Sequence, residues 1–143
     1  MKNKILLLGL FCCSLISAKA QVLLDKGTGK NSFPIVSSLT NAVVCFDGKD
    51  ATVVRKSASL FVDDVRRVTG QELRIDESKP GKVSARYAII AGTIGKSEWI
   101  DALVSRNKID TAAIAGGWER YMIEVVNNPV PGIKKAIVVA GSD

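Results

Sequence analysis

The chain has 143 residues, with 20 Lys and Arg against 14 Asp and Glu for a formal charge of +6, and it contains no histidine. Without imidazole, the usual serine and cysteine hydrolase arrangements and most zinc sites are excluded. The charges are dispersed rather than gathered into a stripe with stacking aromatics, so nucleic-acid binding is not expected.

Lys2 and Lys4 form a basic n-region, Ile5 to Ile16 an apolar h-region, and Ala18-Lys19-Ala20 a small-x-small cleavage site. This pattern predicts a signal peptide over residues 1–20 and export of a mature domain, residues 21–143, to the periplasm or the medium. About a dozen apolar residues is short of the roughly twenty that span a bilayer, so no stable membrane insertion is expected after cleavage. Phe11 and Cys12 precede the two cysteines where lipid attachment favours a small residue, which argues against a lipoprotein. Loss of Lys2, Lys4 and Lys19 leaves 17 basic residues against 14 acidic ones, a net +3. Cys12 and Cys13 leave as well; Cys45, inside the apolar run Ala42 to Phe46, then has no disulfide partner and reads as a small buried hydrophobe.

Gln21 to Ser32 is a polar lead-in with Gly27, Gly29 and Asn31. Phe33-Pro34-Ile35-Val36 suits a short edge strand, since proline cannot donate to a central ladder. Ala42 to Phe46 is the next strand, and Asp50 is placed to cap a helix from about Ala51 to Val68. Its apolar residues Val54, Ala58, Phe61, Val62, Val65 and Val68 share one helical face, and Gly70 suits a left-handed stop. Gln71 to Ile75 and the fully apolar Tyr87 to Ala91 read as strands. Ser97 is placed to cap a short helix with Trp99, Ile100, Leu103 and Val104 inward, while Thr111 to Gly117 is ambiguous.

Tyr121 to Val126 and Ala136 to Ala140 form the closing strand pair, with Pro131-Gly132 suited to the centre of a type II turn. A run apolar at every position reads as a central strand covered on both faces. The expected fold is α/β, a layered mixed sheet with helices mainly on one side. Gly141-Ser142-Asp143 ends on helix-capping residues, which predicts the front end of a longer protein, one sheet face left partly bare, and a marginally stable product.

Gly95-Lys96-Ser97 follows a strand and precedes a helix, but the phosphate-loop glycine five positions earlier is Ile90. Gly27-Thr28-Gly29 fails as a dinucleotide fingerprint because Ser32 replaces the third glycine. Asp63-Asp64 is best satisfied by Arg66 and Arg67 as a surface salt-bridged face. Asp76, Glu77, Glu119 and Glu124 could serve a glycosidase only as a flanking pair, and nothing in the spacing pairs them. No catalytic, cofactor-binding or metal residue is assigned, and no cofactor is expected. Trp99, Trp118 and Tyr121 are the aromatics a stand-alone carbohydrate-binding or interaction module would use, although Trp99 suits a helix core face and Trp118 a buried strand start.

The closing stretch from Gly117-Trp118-Glu119 through Asn128-Pro129-Val130-Pro131-Gly132 to Gly141-Ser142-Asp143 resembles the N-terminal domain of glycoside hydrolase family 115. Val68-Thr69-Gly70 and Ala91-Gly92-Thr93-Ile94-Gly95-Lys96-Ser97 extend the resemblance. It implies an exported α-glucuronidase that releases (4-O-methyl-)glucuronic acid from xylan by inverting hydrolysis. It also implies an α/β front domain like the non-catalytic ones of family 67 and family 20 glycosidases. The catalytic carboxylates would lie in a following barrel that meets the glucuronoxylan, and the resemblance admits a homodimeric parent.

Overall fold

A computed structural model describes residues 32–143, and its secondary structure lies in the compact unit Phe33–Asp143. The predicted signal peptide and the lead-in as far as Asn31 lie outside the described residues. The elements run β1 (Val43–Cys45), α1 (Thr52–Thr69), β2 (Arg74–Asp76), β3 (Ala85–Thr93), α2 (Glu98–Ser105), β4 (Tyr121–Asn127) and β5 (Ile133–Gly141). They build one sheet in the order β2-β1-β3-β5-β4. It is parallel except for β4, which runs antiparallel to β5, so the sheet is mixed as expected.

Helix α1 buries Ala58 and Val62, with Val54, Phe61 and Val65 half-buried beside them. Val68, expected inward, is 85% exposed. Fourteen steps of roughly 100° after Val54 have turned it off the stripe centred on Ala58 and Val62. Gly70 adopts φ 71° and donates its N–H to the Arg66 carbonyl at 2.9 Å, the left-handed stop that its sequence suggests. The start differs from expectation. Ala51 occupies the N-cap position, and the Asp50 carboxylate accepts from the N–H groups of Ala51 and Thr93 at 2.7 and 2.8 Å. Asp50 therefore ties α1 to the end of β3.

The predicted edge strand Phe33 to Val36 does not form. Ile35 accepts a single bond from Ala42, and Ser37 closes a turn with Thr40 through bonds of 2.6 and 3.0 Å, so local side-chain bonding takes the place of a ladder. Ile35 and Val36 still pack against the α1 cluster, and Phe33 meets Tyr87 edge-on at 5.4 Å.

The helices sit on opposite faces, which corrects the expectation that they lie mainly on one side. Val43 and Cys45 join α2 residues Trp99, Ile100 and Leu103 in one core cluster; Val44 and Phe46 join α1 residues Ala58 and Val62 in another. Successive strand residues point to opposite faces, and β1 is apolar at every position, so each face needs its own cover. Cys45 lies fully buried, and its thiol is raised to about 12, chiefly by that burial and also by Asp76, with Arg74 opposing.

The β4–β5 connection closes as the sequence suggests. Ile133 N–H donates to the Val130 carbonyl at 3.2 Å around Pro131-Gly132, and Gly132 has φ 90°. A side chain at Gly132 would collide with the Val83 carbonyl, so both conformation and space demand glycine.

Candidate interaction surface

The chain leaves β1 through α1 to β2 on one side, while β3 lies on the other. The carboxyl ends of β1 and β3 thus flank the kind of switch point at which open α/β sheets take ligands. Here the crevice is filled from within. Asp47 Oδ2 accepts from Glu98 N–H at 3.0 Å, occupying the N-terminus of α2, and Oδ1 accepts from Lys49 N–H at 2.9 Å. These backbone bonds hold the Asp47 carboxyl below its usual range. Asp101 accepts from Gly95 N–H at 2.9 Å, and Asp50 reaches Thr93 N–H. Ser97 occupies the N-cap position of α2 but makes no cap bond; its Oγ is buried against Gly92 without a partner. The helix terminus that Gly95-Lys96-Ser97 offers to an anion is therefore taken by the protein's own carboxylates.

The carboxylates that could serve a glycosidase are not brought together. Asp76 belongs to edge strand β2 and Glu124 to the opposite edge strand β4, four strand spacings or about 19 Å apart. Flanking carboxylates need about 5–9.5 Å. Asp76 accepts from Arg74 and Ser78, bonds that outweigh the upward push of burial and leave its carboxyl lowered. Glu77 pairs with Arg55, and Glu119 precedes β4 in a left-handed residue of φ 51°. Asp63 and Asp64 pair with Arg66 and Arg67 at 3.2 and 3.5 Å on the exposed face of α1, as their spacing suggests. Among the described residues no group of carboxylates or thiols is placed to hold a metal ion.

The aromatics divide sharply. Trp99 is fully buried, and its Nε1–H donates to the Ser78 carbonyl at 2.9 Å. Trp118, expected in the core, is 79% exposed. It stands in a looped approach to β4, where the Arg120 side chain lies over Gly117 and donates to the Ala113 carbonyl at 3.2 Å.

The largest uncovered feature is the outer half of the α1 face. Residues paired directly across β4 and β5 share a face. Met122, Val126, Ala136, Val138 and Ala140 point toward α2 and are buried or pack against that core. Tyr121, Ile123 and Val125 point the other way and are 70%, 50% and 49% exposed, with Ile137 and Val139 half-buried opposite Val125 and Ile123. Helix α1 contacts β2 and β3, so this strip lies beyond its reach. Apolar patches of this kind mark binding surfaces. The continuous apolar run of β5 is the sequence signal for it, because a strand apolar on both parities asks for cover on both faces.

Arg120 N–H donates to Ser142 Oγ at 3.0 Å and Glu119 N–H to Asp143 Oδ1 at 3.1 Å, which pins the start of β4 to the end of β5. Among the described residues no helix is long and apolar enough to cross a membrane. No known protein-family model matches the chain, and no characterised protein matches it in sequence.

Proposed function

We propose that this chain is the non-catalytic front domain of an exported α-glucuronidase that acts on glucuronoxylan. Its β4–β5 strip would be the seat for the rest of that protein. The observation that carries the reading is the bare strip of Tyr121, Ile123 and Val125 on a sheet whose other face packs against α2. Full burial of such side chains is worth about 1.5–3 kcal/mol each, so covering three that are half exposed or more contributes about 3 kcal/mol to docking. The resemblance of the closing hairpin to family 115 glycosidases supplies the parent activity. A crevice filled by Asp47 and Asp50, and carboxylates on opposite sheet edges, agree with a supporting rather than catalytic role. The intact mass of the native exported protein, captured with an antibody raised to this chain, tests the reading. A species several times larger than the chain is expected, with hydrolysis of glucuronoxylan by the larger species and none by the chain alone. A native species of the mass of residues 21–143, or hydrolysis by the isolated chain, would overturn it.

Trp118 and Tyr121 favour a second reading, a stand-alone carbohydrate-binding module, because both present exposed rings at the start of β4. In that case xylan oligosaccharides quench tryptophan fluorescence and Trp118→Ala abolishes the change; no response at millimolar ligand removes this reading.

A further inference from the structure

β4 is an outer strand of the sheet and, among the described residues, pairs only with β5. Ser142 N–H donates to the Arg120 carbonyl at 2.9 Å and Asn128 N–H to the Lys134 carbonyl at 2.8 Å, so the even-numbered positions bond to β5. Antiparallel ladders alternate, which turns the N–H and C=O groups of Tyr121, Ile123, Val125 and Asn127 outward. All four residues are exposed. Unpaired edges template further strands unless they are short, bulged, charged or interrupted by proline. The other outer strand, β2, is three residues long and carries Arg74 and Asp76 bonded to each other. β4 has seven residues, a one-to-one register with β5, no proline and no lysine. Its one charge, Glu124, belongs to the positions that bond to β5.

We infer that the β4 edge pairs antiparallel with β4 of a second copy, about a two-fold axis through Ile123. Outward-turned positions must meet outward-turned positions, so the registers that keep most of the strand overlapped are centred on Ile123, Glu124 or Val125. Centring on Glu124 sets that carboxylate directly against its own copy, in the closely spaced kind of pair where like charges destabilise. Centring on Val125 sets Ile123 against Asn127, and Tyr121 against Pro129, which is buried beyond the strand end.

Centring on Ile123 sets Ile123 against Ile123 and Tyr121 against Val125, an aromatic facing a β-branched residue, and Glu124 against Met122. Arg120 of the second copy then lies on one diagonal of Glu124 and offsets the Glu124 of that copy on the other. The pairing consumes both β4 edges, and β2 is blunted, so assembly closes at two copies rather than running on as a filament. It uses the edge of β4 and leaves the face of the strip open, so the inference stands apart from the front-domain reading.

The test is sedimentation velocity of the full chain between about 10 μM and 1 mM, where a monomer–dimer equilibrium is expected. Ile123→Pro removes an outward N–H and no bond to β5, so it should abolish the dimer; two sheets packed face to face would survive it. Ile123→Lys and Ile123→Glu each place like charges across the axis and should weaken the dimer about tenfold or more. An equimolar mixture of the two should restore it, because opposite charges then face each other; this pair decides the matter even where the proline variant does not fold. A monomer at every concentration, a full dimer in folded Ile123→Pro, or a mixture no tighter than either variant alone would each overturn the inference. A monomeric chain would leave the intact-mass test of the parent protein untouched.

Discussion

The two faces of the β4–β5 pair are made from equally apolar residues and meet opposite fates. Toward α2, Val126, Ala136, Val138 and Ala140 are buried within a cluster that also holds Trp99, Ile100 and Leu103. Toward α1, Tyr121, Ile123 and Val125 stand in solvent. The difference lies in coverage, not composition: α2 and the loop carrying Ile109 and Ile114 pack on the first face, whereas α1 on the second packs over β1, β2 and β3. The one charged residue within β4, Glu124, points toward the covered face and is itself exposed, so a simple rule of apolar inside and charged outside assigns the wrong face to solvent.

The sharpest way to break this comparison is to truncate one residue on each face. Trp99→Ala should cost about 3–5 kcal/mol, since it leaves a large cavity and strips the Ser78 carbonyl of its donor. Ile123→Ala should cost less than about 1 kcal/mol, in line with exposed sites. Urea melts of both variants measure the contrast, and equal losses would mean that the outer face is already covered.

Glycine 132 tests whether the hairpin that presents the strip is rigid. Gly132→Ala meets both a positive φ and the Val83 carbonyl, so a loss of about 1–3 kcal/mol is expected in the same melt.

Legibility in the sequence follows the same division. The strand and helix runs from Ala42 onward, the Gly70 stop, the Pro131-Gly132 turn and the central place of β5 were readable because each rests on local pattern or on one residue's conformational freedom. The apolar run Ala136 to Ala140 reads as a strand covered on both faces, and one of those faces is only half covered. What was not readable depended on long-range partners. Asp50 and Asp47 look like turn and cap residues, yet they bond across to Thr93 and Glu98, 43 and 51 positions away. Trp118 looks like a core aromatic, yet it stands outside in the looped approach to β4. Placing α1 and α2 on opposite faces needed the strand order, which periodicity does not carry.

A pH titration sharpens the contrast between the filled crevice and the open strip. Bonds from Glu98 and Lys49 lower the folded pKa of Asp47 below its unfolded value of about 3.9. The stability it contributes is therefore present above about pH 4 and is lost as pH falls through the lower, folded value. Asp47→Asn should remove that part of the acid-side slope, as followed by melting between neutral and acid pH, whereas Ile123→Ala should leave the slope untouched. The smallest effect on stability is expected from Val125→Lys, within about 0.5 kcal/mol. Its visible result should be reduced self-association, by light scattering, because a charge now interrupts the strip.

The buried thiol on β1 gives the molecule an internal clock. Cys45 is the free cysteine among the described residues, sealed in the α2 core, and burial keeps it protonated at any ordinary pH. A thiol-specific reagent can reach it only when the sheet parts, so its modification rate, read by peptide mass, counts excursions to open forms under native conditions. Occupation of the outer strip by a physiological partner should slow that clock while leaving the amino-acid sequence unaltered, which turns one silent cysteine into a gauge of whether the domain stands alone or in company.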